Sequence, residues 1–280
     1  MTIELFVLPD QSGLYPRRVL IYLAEKSLLQ SPNIVITPTS KAPESASRQL
    51  PSSLPILSLG TNRYIRQSIP IIEYFEDLCD AGTEEIAGIA RPTMRGHTSE
   101  ERARTREILE LVDEATVHFE LACRKGSAMF SLLEKQDTAA SRCAFASCRK
   151  SLEVIEGHYK QDERLSTSIS STDNMLDRVN MVDCVLFALL QFSIQLYSRD
   201  LAEGLPTLKL FYEIFRKRDS AKFGEHTFPR ELKMLASHFI KESTSSFGSV
   251  LAALDVAFIY ISVLGYFILK PVILLKQKFI

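Results

Sequence analysis

The stretch Ser52–Leu78, SSLPILSLGTNRYIRQSIPIIEYFEDL, decides how this chain folds. Two short apolar runs, Leu54–Leu59 and Tyr64–Ile65, flank Gly60-Thr61-Asn62, a pattern that expects a β-hairpin. Gln67-Ser68 then opens a helix, with Ser68 as N-cap and Pro70 in the first turn, where an amide proton has no partner to lose. Ile71, Ile72, Phe75 and Leu78 follow at helical spacing and give that helix one apolar face. Pro55 cannot donate to a ladder, so it belongs at an edge or at the first residue of a strand. Were the Leu54–Pro55 bond cis, the Leu54 backbone would turn outward, ready to pair with an extended peptide.

Upstream, Ile3–Leu8 is a near-continuous apolar run, expected as a strand buried on both faces. Pro9–Gly13 is a turn cluster. Tyr15–Leu28 reads as an amphipathic helix with Val19, Leu20 and Leu23 inward, and Asn33–Thr37 as a second strand. Strand, helix and strand make a βαβ unit, whose crossover is right-handed. Lys41–Arg48 is polar and reads as a loop or short helix.

Downstream of a Gly- and Pro-bearing linker, Ala81–His97, the pattern is helical only. Ser99-Glu100-Glu101-Arg102 resembles a capped start. Arg104–Cys123 carries Ile108, Leu111, Val112, Ala115, Phe119 and Ala122 near a 3–4 repeat. Ala139–Tyr159 is a further helix with Phe145, Leu152 and Ile155 inward. Gln161–Thr172 is a polar loop. Asn180-Met181-Val182-Asp183 spells a capping box in front of Cys184–Leu196, which is apolar nearly all round and therefore central and buried.

Composition narrows the classes. A hydrophobic content of 46% supports a packed core, and a formal charge of −1 gives no basic surface for nucleic acid. Five cysteines with no CxxC spacing point to free thiols in a reducing compartment. Met1–Leu8 has no basic n-region of a signal peptide. The five histidines are dispersed; His118 is the one that could face a cleft, a surface or core imidazole being commoner. There is no metal-ligand spacing and no phosphate-binding glycine loop.

The Leu-Pro-Ile-Leu strand, the hairpin, and Gln67-Ser68-x-x-Ile71-x-x-Tyr74-Phe75 together resemble the glutathione-binding half of the glutathione transferases. Ser68 alone would be a cap and Pro55 alone an edge marker; the pair carries the likeness. Tyr15–Lys26 is similar to the first helix of that family and of its relatives in filamentous fungi. Leu205-Pro206-Thr207-Leu208 with the following helix, and the Asn180–Asp183 box, extend the resemblance to about residue 223. The resemblance implies that Asp183 is a folding residue, not a catalytic acid. It implies a thioredoxin-like α/β domain over 1–82, an all-α domain over 95–223 and an extension over 224–280. A helix N-terminus bearing a hydroxyl suits the α-carboxylate of a γ-glutamyl group.

The resemblance further implies glutathione as co-substrate, held by Lys41, Ser53, Leu54, Pro55, Gln67 and Ser68. The thiol-activating position falls near Gly13, where this chain has no hydroxyl and no cysteine; Ser12 is the first choice and Tyr15 the second. A small hydrophobic electrophile would lie against the Arg104–Cys123 helix, for conjugation or for addition and cis–trans isomerisation in secondary metabolism. The protein would be a cytoplasmic homodimer. A non-catalytic glutathione-transferase-like module is the alternative.

The tail departs from the family. Leu251–Leu269 is 19 residues with one charge, Asp255, followed by Lys270, Lys276 and Lys278. That length spans a bilayer core if helical. Three readings stay open for residues 250–269: a membrane anchor, a helix docked on the C-terminal domain, or a translated intron.

Overall fold

The structure is a computed structural model that describes residues 3–8, 13–39, 54–60, 62–82, 86, 88–162, 164–165, 178–224 and 228–240. The chain divides into two compact units. One comprises Met1–Asp113, Ser151–Phe192 and Leu201–His226; the other comprises Glu114–Lys150, Ser193–Asp200 and Thr227–Ile280.

In the first unit, β1 (Ile3–Val7), α1 (Leu14–Glu25), β2 (Ile34–Pro38), β3 (Ile56–Ser58), β4 (Tyr64–Arg66) and α2 (Ser68–Asp80) follow in order. The four strands form one sheet in the order β2-β1-β3-β4. β1 and β2 are parallel, with Leu5 opposite Ile36; β3 runs antiparallel to β1, with Leu57 opposite Leu5, and to β4. This is the thioredoxin-like βαβ–ββα arrangement. The hairpin turn uses Gly60 and Asn62 at positive φ, as its tightness requires.

Three local expectations change. β1 alternates instead of burying both faces: Ile3, Leu5 and Val7 are buried, Glu4 and Phe6 half-buried. Glu4 stays on the open face because it accepts a hydrogen bond from the Thr37 hydroxyl (2.6 Å). Ser68 is not the cap of α2. Gln67 holds that place at φ 72°, and Ser68 is the first helical residue. α1 is not amphipathic in its burial, since Leu14, every residue from Pro16 to Leu23, and Glu25 are all buried. It packs on α2 and on a 3-10 turn, Asp219–Gly224.

Polar side chains trapped in α1 need partners. Glu25 receives two hydrogen bonds from Arg218 (2.7 and 2.8 Å) and one from the Ser220 hydroxyl. Lys26 Nζ lies 2.7 Å from Glu76, both fully buried. Glu76 also accepts from the Tyr22 hydroxyl (2.7 Å), the Thr93 hydroxyl (2.9 Å) and the Met94 amide (2.8 Å). That carboxylate therefore ties α1, α2 and the segment after α2 into one piece.

The helices α3 (Ser99–Gly126), α4 (Thr138–Lys160) and α5 (Met181–Tyr197) contribute residues to both units; α6 (Pro206–Phe215) belongs to the first and α7 (Arg230–Ser237) to the second. α3 starts one residue before the expected place. Thr98 Oγ1 accepts from the Glu101 amide (3.1 Å), and the Glu101 carboxylate accepts from the His97 (2.6 Å) and Thr98 (3.1 Å) amides. Its inward residues in the first unit are Thr105, Leu109 and Val112, whereas Ile108 and Leu111 are only half-buried.

The Asn180 box forms as expected. Asn180 Oδ1 accepts from the Asp183 amide (2.9 Å), and Asp183 accepts from the Asn180 amide (2.8 Å). Residues Met181 through Leu190 are then all buried. Asp183 also takes hydrogen bonds from the Tyr159 hydroxyl and Arg164 Nη1, both at 2.7 Å. Burial first, and the Asp183 charge second, push the Tyr159 hydroxyl well above its usual range, so it remains a donor.

In the second unit, Phe119 meets Tyr197 edge-on with centroids 5.3 Å apart. Arg199 lies over the rings of Phe145 (4.3 Å) and Phe239 (4.5 Å). Phe145 is thus half-buried under a cation instead of being a core residue. The Ser127 hydroxyl reaches the carbonyls of Leu235 (3.1 Å) and Ala236 (2.9 Å), holding α7 in place. Gly126 lets α4 approach closely, because a Cβ there would collide with the Ser141 side chain.

Among the described residues no helix is long and apolar enough to cross a membrane. The apolar run 250–269 lies outside them, as do Lys41–Arg48 and most of Gln161–Thr172.

Candidate functional site

The first turns of α1 and α2 bring the site residues of the first unit together. Gly13 caps α1 with extended backbone, and its carbonyl accepts from the Arg17 amide (3.1 Å). A Cβ at position 13 would approach the Leu8 side chain to 2.7 Å and Pro16 Cδ to 3.0 Å. The place where the resemblance puts a hydroxyl or thiol is therefore filled by neighbours. Two residues on, Tyr15 is half-buried, with the Arg18 guanidinium 5.0 Å from its ring centroid.

Arg18 is the centre of the cluster. It is 1% exposed, and its Nη1 lies 2.7 Å from Asp113 Oδ1 on α3. The same nitrogen makes a long contact, 3.5 Å, with the Ser68 hydroxyl. Ser68 is itself 2% exposed. A fixed positive charge thus stands beside a hydroxyl in the first turn of α2, where backbone amides also point outward. Such a place has the chemistry that suits a carboxylate.

Arg17, the neighbouring cation, points elsewhere. It donates to Gln191 Oε1 (3.1 Å) and lies 5.5 Å from the Phe192 ring. Burial lowers its pKa to about 10, which still leaves it charged at neutral pH. Gln191 in turn donates to the Ala221 carbonyl (3.1 Å).

Of the sequence-expected residues, Tyr15, Leu54, Pro55, Gln67 and Ser68 are described; Ser12, Lys41 and Ser53 lie outside the described residues. The Leu54–Pro55 bond is cis, directly before β3. Gln67 holds the turn from β4 into α2, and its carbonyl accepts from the Ile71 amide (3.2 Å). His118 is partly exposed, and its Nε2 lies 3.8 Å from Glu114 of its own helix.

Arg18, Asp113 and Arg17 were missed by sequence reasoning. Two adjacent arginines inside an otherwise apolar helix were the available signal for the first and last. Asp113 had none, because it sits on a charged helix face among many similar residues.

The chain's own thiols are poor nucleophiles where their ionisation is shifted. Burial pushes Cys148 up to about 12, raises Cys123 strongly and Cys184 well above its usual range, and is the chief cause of the rise at Cys79. Any thiolate chemistry at this site would need a thiol brought from outside. Among the described residues, no group of three His, Cys, Asp or Glu is placed to hold a metal ion.

No protein-family model matches this sequence, and no curated protein matches it. Solved structures do match. Gtt2 from Saccharomyces cerevisiae is 22% identical with a TM-score of 0.57, over 78% of this chain and 98% of that one. A glutathione transferase family member from Pseudomonas fluorescens, crystallised with bound glutathione, is 17% identical with a TM-score of 0.57, over 78% and 96%. Glutathione transferase F7 from Populus trichocarpa is 15% identical with a TM-score of 0.54, over 80% and 100%. With its thioredoxin-like sheet and its box-capped buried helix, this chain has the fold of the glutathione transferases.

Proposed function

We propose that the chain binds glutathione through its N-terminal domain, residues 1–82, and activates the thiol for attack on a small hydrophobic electrophile. The observation that carries this reading is the Ser68 hydroxyl, buried in the first turn of α2 beside the Arg18–Asp113 pair. The group it suits is the α-carboxylate of the γ-glutamyl residue. Alongside Ser68 we assign Gln67, the Leu54–Pro55 backbone, Lys41 and Ser53 as the remaining glutathione-holding residues. A structural neighbour described with bound glutathione supports the choice of ligand.

A free thiol has a pKa of about 8.5, so at neutral pH only a few per cent is thiolate. A hydroxyl donating to sulfur, together with the positive end of α1, favours the charged form. Ser12 is our first choice of donor and Tyr15 the second. The thiolate then forms a carbon–sulfur bond and displaces a leaving group. Alternatively it adds to a conjugated alkene; bond rotation and elimination return free glutathione and the isomerised alkene. We assign the electrophile to a secondary-metabolite pathway of the fungal type, and the protein to the cytoplasm as a homodimer. The five free cysteines support a reducing compartment.

The filled space at Gly13 favours a second reading, a non-catalytic glutathione-binding module. Retention on immobilised glutathione, followed by a conjugation assay with 1-chloro-2,4-dinitrobenzene and an alkene-isomerisation assay, separates the two. Retention with turnover in either assay supports the enzyme. Retention without turnover supports the module, and failure to bind glutathione removes both.

A further inference from the structure

We propose that the apolar segment 251–269 of this chain docks on an exposed apolar face of the second unit, centred on Leu132 and Leu133. Nine large apolar side chains are strongly exposed among the described residues, and five of them, Val117, Leu121, Leu132, Leu133 and Met234, belong to this unit. Leu132 and Leu133 are 74% and 78% exposed. Such a concentration marks a contact surface.

The five are linked by observed geometry. Val117, Leu121 and Arg124 share one face of α3 at helical spacing. Arg124 Nε donates to Glu134 (2.6 Å), and Lys125 Nζ does so at 3.2 Å. Those bonds tie Glu134, next to the leucine pair, to the last turn of α3, one turn beyond Leu121. Met234 lies on α7, which packs on the 3-10 turn Ala128–Phe130 just before the leucine pair.

The tail leaves from the same place. The Ala128 amide donates to the His238 carbonyl (2.8 Å), and the Ile240 amide donates to the Gly126 carbonyl (2.9 Å). Ten residues, Lys241–Val250, separate this anchor from Leu251. They reach at most about 33–36 Å, which keeps the segment at high effective concentration near the face. An intramolecular site has a further argument over a bilayer. Wound as a helix, the segment would line up Asp255, Ser262 and Tyr266 at i, i+7 and i+11, with Ala253, Ala257, Tyr260, Leu264 and Ile268 opposite. One polar stripe for water and one apolar side for protein is what docking requires.

Hydrogen exchange over residues 251–269 of the full chain tests this, comparing the native protein with Leu132→Glu/Leu133→Glu. Neither leucine is part of the packed interior of the unit, so an unchanged melting temperature is expected and shows that the unit stays folded. Exchange should be slow in the native chain and about tenfold faster in the double variant, the factor expected for losing part of the burial of two leucines. Leu132→Met/Leu133→Met should keep the protection. Fast exchange in the native chain, or protection unchanged in the double variant, overturns the proposal. So does protection that rises with protein concentration, which assigns the face to a second copy. Protection that appears only with phosphatidylcholine vesicles assigns the segment to a bilayer and equally overturns it.

Discussion

Arg18 on α1 and Asp113 on α3 are ninety-five positions apart in sequence, yet Nη1 and Oδ1 lie 2.7 Å apart. The guanidinium is buried and the carboxylate is 43% exposed. Asp113→Asn would leave a buried cation with a weaker partner. We expect a loss of about 1–3 kcal/mol in stability, less than for a fully buried pair because water reaches Asp113. Glutathione affinity should fall as well, because the charge beside Ser68 is no longer held. Urea unfolding and a glutathione titration read the two effects; native values in both would make the pair incidental.

Ser68→Ala should weaken glutathione binding by about 1.5–3 kcal/mol, the value of a hydrogen bond to a charged group. The melting temperature should move little, since Ser68 does not cap α2 and its contact with Arg18 is long, at 3.5 Å. A large drop in melting temperature with unchanged affinity would make Ser68 structural.

Ser12→Ala and Tyr15→Phe distinguish the two candidate thiol activators. Whichever removes the donor should lower turnover with little change in binding, and should move the pH–rate profile upward, because the thiol ionises less readily without its hydrogen bond. A shift with Tyr15→Phe alone transfers the role to Tyr15. No shift with either assigns it to a backbone amide near Gly13, or favours the non-catalytic module.

Asp183→Ala strips Tyr159, Arg164 and the Asn180 amide of their shared acceptor at once. We expect about 3–5 kcal/mol of destabilisation, the usual result of breaking a buried charged pair. Glutathione affinity per folded molecule should hold. Lost turnover at native stability would make Asp183 a catalytic residue after all.

Glu156 gives an acid-sensitive element. Burial alone would raise its carboxyl, but hydrogen bonds from the Thr207 and Leu208 amides at the start of α6 outweigh burial and hold it below the usual 4.5. A depressed carboxyl stabilises the fold fully above the unfolded pKa, and that contribution disappears as pH falls through the lower folded value. Glu156→Gln should therefore be less stable than the native chain at pH 7, and the gap should close toward pH 3. Urea midpoints at the two pH values check this; a gap that stays constant rules out the ionised form as the source.

Local chemistry was legible in the sequence by itself. The hairpin around Gly60, the helix after Gln67 and the box joining Asn180 to Asp183 all depend on residues within a few positions of one another, so spacing specifies them. End residues moved by one: the Thr98 hydroxyl took the Glu101 amide ahead of Ser99, and Gln67 took the cap position of α2 at positive φ without a side-chain bond. Tertiary structure alone decided what happened to the charges of α1. The amphipathic pattern of that helix placed Val19, Leu20 and Leu23 inward, but packing on both sides also buried Arg17, Arg18, Glu25 and Lys26. Their partners came from wherever the chain returned, Glu25 meeting Arg218 across 193 positions. A buried charge must be paired, and only the meeting of helices determines with what. The proposed anion-binding corner at Ser68 was half written in sequence for that reason: its hydroxyl and its helix start were local, while the cation beside it and the carboxylate that holds that cation were brought there by the fold.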